Sequence, residues 1–291
     1  MDQDLRIYAK GLAFSNGVYD LRTLESLVTN YRKILDRLVA VQLGKKQVSP
    51  QLKNQLDYDV RVKEGSIELL INFALEHKDF IAAFSTDGGA GLSQVVVTLL
   101  RDAVRLREKA SVCIGKGLPV NINISNSFNI GSTLMSPNVS YDNNTGTIVI
   151  NDPKILWAAQ VTRSPVNALL SQVDGKAVEF IDINNKTDEF RLTPDQRNII
   201  GKQKEELPTT LNLIGRLDMV SFSAHRGSII SDGERFSVTW EEHIRPKMQK
   251  LGDVEGVVFK VRPVVDHKRL DNETIGFHVL DCGNPQEGFS I

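Results

Sequence analysis

Apolar and polar positions alternate with a period of two near the start of the chain, from Leu5 to Ala9. Asn16-Gly17 follows as a tight-turn pair, so Arg6 to Asp20 is predicted as a hairpin. From Thr23 the period lengthens. Leu24, Leu27, Val28, Tyr31, Ile34, Leu35 and Leu38 recur at spacings of three and four, which predicts an amphipathic helix to about Gln42 with Thr23 as its N-cap. Gly44 to Asn54 is a basic, polar loop.

The clearest hairpin comes next. Leu56, Tyr58, Val60 and Val62 alternate with polar partners, Glu64-Gly65-Ser66 turns the chain, and Ile67, Leu69, Ile71 and Phe73 alternate again. Such a sheet has one apolar face that needs a cover, and helices supply it. The first helix is one cover. A second runs from about Leu92 to Glu108 with a wide apolar stripe, either deeply buried or paired with another subunit. Pro119 to Ser125 reads as a strand and Val139 to Ile150 as a hairpin. Asp152-Pro153 and Ser164-Pro165 are helix starts, each a capping residue followed by proline at the first helical position.

After Asp174-Gly175 strand signals dominate: Ala177 to Ile183, Glu189 to Leu192, Leu211 to Phe222, Gly227 to Ile230, Phe236 to Trp240, Gly256 to Val264 and Ile275 to Leu280. Two short helices interrupt them, one opened by the capping box Thr193-Pro194-Asp195-Gln196, the other running from Glu241 to Leu251 and broken by Pro246. The expected fold is α+β: an N-terminal antiparallel sheet covered by helices over 1–173, then a β-rich, small barrel-like domain over 174–291. Charge changes little in this picture. The first part carries 19 Lys/Arg against 16 Asp/Glu and the second 16 against 20, a weak asymmetry that salt screens.

Composition narrows the function classes. The net charge of −1 argues against an extended polybasic surface for bulk nucleic-acid or membrane binding. Two isolated cysteines, Cys113 and Cys282, are too few for a disulfide scaffold and read as small buried fillers. The polar start has no basic segment leading into an apolar one, and Gly91 to Leu106 is interrupted by Arg101, Asp102 and Arg105. A cytoplasmic protein without a membrane span is therefore expected.

Two loops are candidate ligand sites. Asp87, Gly88, Gly89 and Gly91 precede a helix start, where glycines let backbone amides approach an anion. The loop lacks the Gly-Lys-Ser/Thr ending of a P-loop, and Asp87 would repel a phosphate. His225, Arg226 and Ser228 lie between two barrel strands, a place where small barrels present groups to a phosphate or a base, with Phe222, Phe236 and Trp240 available for stacking. No catalytic residue and no metal ligand is assigned. The histidines lack metal-binding spacing, and no serine sits in a G-x-S-x-G elbow. Glu179, Asp182 and Lys186 would suit a metal-dependent phosphodiester hydrolase, yet they surround an Asn-Asn-Lys turn where solvated charges are ordinary.

The early strand and helix, the run Val60-Arg61-Val62-Lys63-Glu64-Gly65-Ser66-Ile67-Glu68, the apolar helix and the later Ile214-Gly215-Arg216-Leu217 strand give the chain an order of elements that resembles uncharacterised bacterial α+β proteins of mobile or phage-defence gene clusters. That resemblance implies a setting in antiviral defence and transfers no catalytic residue. The expected function is a non-catalytic interaction or ligand-binding protein, without a cofactor, acting as a homo-oligomer or with a protein partner. The alternatives are a nucleotide or nucleic-acid binder and the hydrolase.

Overall fold

Strand β1 (Leu5–Lys10) buries Leu5, Ile7 and Ala9 and turns Arg6, Tyr8 and Lys10 to the other face. A strand of this kind needs partners on both edges, and it takes them from far along the chain. The computed structural model describes residues 5–15, 20–47, 56–63, 66–73, 92–125, 138–142, 144–184, 189–201, 204–252, 254–267, 270 and 274–283. Within these, β2 (Leu56–Lys63) and β3 (Ser66–Phe73) form the expected hairpin, and β7 (Phe180–Asn184) and β8 (Glu189–Leu192) form another. β1 lies antiparallel between β3 and β7, so the sheet order is β2-β3-β1-β7-β8. The expected Arg6–Asp20 hairpin is replaced by β1 and a 3-10 turn at Leu12–Phe14, because the partners of β1 are β3 and β7. Asn16 and Gly17 lie outside the described residues.

Helix α1 (Leu21–Gln42) begins earlier than its apolar period suggests. Asp20, not Thr23, is the N-cap: its carboxylate accepts from the Arg22 and Thr23 amides at 3.3 Å and from the Thr23 hydroxyl at 2.5 Å. The Thr23 hydroxyl bond first, then the two amide bonds, hold the Asp20 carboxyl below its usual range against the opposing effect of burial. α1 buries Leu27, Tyr31, Ile34, Leu35 and Leu38 along one stripe. α2 (Leu92–Gly115) extends beyond the expected end and buries Val96, Leu100, Ala103, Val104, Leu106, Ala110 and Ile114. Its apolar face is thus covered within the chain. α3 (Pro153–Val161), capped by Asp152, and α4 (Arg163–Gln172) follow almost end to end, and both pack against α1. α4 starts at Arg163, one residue before the Ser164-Pro165 signal. A small sheet, order β4-β6-β5, joins β4 (Asn121–Ile124), β5 (Val139–Tyr141) and β6 (Thr147–Ile150). α5 (Pro194–Ile200) carries the full Thr193/Gln196 capping box.

The chain forms two compact units, residues 1–111 with 121–202 and residues 112–120 with 203–291. β7, β8 and α5 therefore belong to the first unit, and the division falls near 202 where the sequence reading placed it near 173. The physical reason is pairing: Ile181 and Ile183 are buried beside Ala9 and Ile7 of β1, so the strand-rich segment after Gly175 first completes the N-terminal sheet.

The second unit is a closed five-stranded barrel. β10 (Leu211–Ser221), β11 (Arg226–Ser231), β12 (Glu234–Trp240), β14 (Thr274–Gly283) and β13 (Val257–Asp266) pair in that order, and β13 returns to β10. β12 and β14 run parallel and the other pairs antiparallel. Short β9 (Lys204–Glu206), which the sequence reading missed, adds to β13. The first strand pairs with the second and fourth, and a helix stands between the third and fourth. This is the Greek-key barrel of OB type. The expected Glu241–Leu251 segment divides into a 3-10 turn at Glu242–Ile244 and that helix, α6 (Arg245–Lys250), with Pro246 in its first turn, and Ile244 and Met248 insert into the core with Leu217, Trp240, Phe259 and Val279. Asp232 and Gly233, both at positive φ, make the tight β11–β12 turn.

Candidate functional site

The two loops singled out in the sequence fare differently. Asp87, Gly88, Gly89 and Gly91 lie outside the described residues. His225, Arg226 and Ser228 meet where β10 turns into β11. His225 adopts a left-handed conformation at φ 47°. Its carbonyl accepts from the Trp240 amide at 3.1 Å, and its Nε2 meets the Glu242 carboxylate. Ser228 sits opposite a bulge in β10, where its hydroxyl donates to Asp218 at 3.1 Å and accepts from the Met219 amide at 3.2 Å. Both residues are thus used to shape the turn. Arg226 is exposed, and among the described residues it has no ion-pair partner. The aromatics offered for stacking turn inward: Phe222 packs edge-on to Trp240 and Phe236 edge-on to Phe277, all within or against the barrel core.

The acidic candidates are also engaged. Asp182 lies buried on β7, and both its oxygens accept from Arg191, at 2.5 and 2.8 Å. The same guanidinium stacks on Phe180 at 4.1 Å. Glu179 pairs with Lys10 at 3.5 Å, and Lys186 lies outside the described residues. Among the described residues no three His, Cys, Asp or Glu side chains converge enough to hold a metal ion. Cys113 and Cys282 are both buried, and burial pushes the Cys282 thiol up to about 11.

A site the sequence reading did not assign lies in the first unit. A cavity of about 620 Å³ opens between the second half of α1 and the junction of α3 with α4. Lys33, Asp36 and Arg37 reach it from one flank of α1, spaced three and four residues apart, just off the buried stripe. Lys46 comes from the turn after that helix, and Arg163 and Ser164 open α4 on the opposite wall. Arg37 donates to the carbonyl of Val161 at 2.5 Å, which ties α1 to the end of α3. Among the described lining residues four cations thus stand with one carboxylate. Among the described residues neither Lys33 nor Lys46 has an ion-pair partner.

A buried cation of α2 meets α4. Arg107 of α2 is only 3% exposed. Its Nη2 donates to Asn167 at 2.5 Å, but among the described residues its Nη1 has no hydrogen-bond partner. Loss of solvation, with repulsion from Arg163, lowers its pKa to about 10, so it is still charged at neutral pH. The buried carboxylate on the same helix, Asp102, instead bonds Asn138 at 2.8 Å and lies 3.5 Å from Arg101. Burial is the main cause that raises its pKa. Among the described residues this guanidinium meets no carboxylate, and a buried charge left uncompensated is costly by several kcal/mol. One signal could have found it. Arg107 occupies the spacing of Leu100, Ala103, Val104, Ala110 and Ile114, a charge at a core position of an apolar stripe. Comparison with known protein families, curated proteins and solved structures finds no match for this chain.

Proposed function

We propose that the protein is a non-catalytic ligand-binding protein that works in an assembly, and that its ligand is an anionic small molecule held in the cavity between α1 and the α3–α4 junction. The observation that carries this reading is the charge of the walls: among the described lining residues Lys33, Arg37, Lys46 and Arg163 stand with one carboxylate, Asp36, in a space that suits a small ligand. The non-catalytic part draws support from the ion pairs of the acidic candidates, since Asp182 and Glu179 are bound to Arg191 and Lys10. The apolar α2 face, one expected subunit contact, is buried within the chain. What favours a partner now is β10, where Ile214 and Met219 stand 61% and 62% exposed. Nucleic-acid binding on the barrel is less favoured, because its outer arginines are largely paired, Arg235 with Asp218 at 2.7 Å and Arg216 with Glu255 at 3.4 Å. The antiviral setting rests on the order of elements alone.

Isothermal titration calorimetry tests the ligand. ATP, pyrophosphate and citrate are titrated into the full chain, with trehalose as the neutral control. At least one anion is expected to bind at one site, more weakly as salt rises, and Lys33→Glu is expected to cost about tenfold in affinity. Silence with every anion, or binding that Lys33→Glu leaves unchanged, would contradict the reading.

A further inference from the structure

We infer that the ligand of the α1 cavity is an extended, hydroxylated molecule with an acidic group at each end. The inference rests on the reading that this cavity binds an anion, and it names the class. Lys33, Asp36, Arg37 and Ala40 follow one another at spacings of one, three and four, so they form a stripe along α1 that lines the cavity. At the rise of an α-helix, the stripe from Lys33 to Ala40 is about 10 Å long. The chain returns to its far end after the helix stops. The Lys45 amide donates to the Ala40 carbonyl at 2.8 Å, which brings Lys46 and Gln47 beside the last turn. Each end of the stripe thus holds an exposed lysine, and among the described residues neither has an ion-pair partner. One compact anion drawn to both ammonium groups would have to sit midway, over Asp36, whose carboxylate opposes it. Arg37, also midway, is committed to the carbonyl of Val161. Two acidic groups set apart on one molecule meet both lysines and leave the middle to something neutral. The middle suits hydroxyls. Asp36 accepts hydrogen bonds, and Gln160 and Ser164 on the facing wall both donate and accept. Ionised phosphate and carboxylate oxygens only accept, whereas a hydroxyl serves either partner. At about 620 Å³ the cavity takes a whole small molecule rather than one inorganic ion. A sugar bisphosphate and a sugar diacid share this chemistry.

Calorimetric titration of the full chain at constant ionic strength tests each part. Fructose 1,6-bisphosphate is compared with fructose 6-phosphate, and glucarate with gluconate. In at least one pair the two-ended ligand is expected to bind at least about fivefold tighter than its one-ended counterpart. The pair that shows this identifies phosphate or carboxylate as the acidic group. Chains of matching length without hydroxyls, 1,6-hexanediol bisphosphate and adipate, are expected to bind more weakly than the sugar they match. Lys33→Met and Lys46→Met, both changes at exposed positions, should each bring the two-ended ligand down to the affinity of its counterpart. Equal affinity within both pairs, or a two-ended advantage that survives both substitutions, would overturn the two-ended assignment while leaving the anion site intact. So would silence from both pairs while ATP, pyrophosphate or citrate binds. A hydroxyl-free chain that binds as tightly as its sugar would overturn the hydroxylated class. No heat with any of these anions would overturn the cavity reading itself.

Discussion

The Gly215→Val substitution is expected to destroy the native barrel. Gly215 lies at the point where β10 passes from one neighbour to the other: it pairs with Val257 of β13, and the next residue, Arg216, pairs with Ile230 of β11. A Cβ built at this position falls 2.1 Å from the Ile230 carbonyl oxygen and 2.9 Å from its carbon. Those are backbone atoms in the adjacent strand, so no rotamer change can relieve the clash. The strand would have to move away, and closure of the barrel depends on that contact. The expected cost exceeds ~4 kcal/mol, in the range reserved for named structural failures. Hydrogen exchange reads it directly: amides of β10, β11 and β13 should lose protection. Protection at wild-type levels would show that the barrel closes in some other way.

Leu106→Ala is the second large effect. Leu106 is fully buried on α2, among the largest side chains with no exposure. Truncating it removes the transfer energy of its methyl groups and leaves a cavity, about 2–5 kcal/mol together. The loss should appear in denaturant melts at every protein concentration, because the leucine is covered by its own chain. A loss that vanishes at high concentration would mean that a second copy provides the cover, as the apolar run alone first suggested.

Features of the chain encoded within a few residues are legible in the sequence. The Thr193 capping box, the Asp152-Pro153 helix start and the β2–β3 hairpin each depend on neighbours in sequence. Features that depend on distant partners are not. The alternation of β1 is plain, but nothing in it says that β3 and β7 flank it, and so the boundary was drawn too early. The N-cap was assigned to Thr23 because the apolar period begins at Leu24, while the first turn of α1 carries exposed Leu21 and Arg22 that leave no periodic trace. β9 is three residues long, all charged, and becomes a strand only because β13 offers an edge.

The candidate site shows the same division. The loop of His225, Arg226 and Ser228 was found because a small barrel's loops are easy to place, yet its His and Ser are committed to the turn. The cavity draws its cations from α1, the turn after it and the start of α4, segments with no motif between them. Only Arg107, a charge in an apolar stripe, offered a sequence signal.

A crystal structure of the full chain grown with pyrophosphate tests the central claim most directly. The expected result is the anion in the α1–α4 cavity, within hydrogen-bond distance of Arg163 and facing Lys33. Pyrophosphate bound beside Arg226 on the barrel, with the cavity empty, would contradict it.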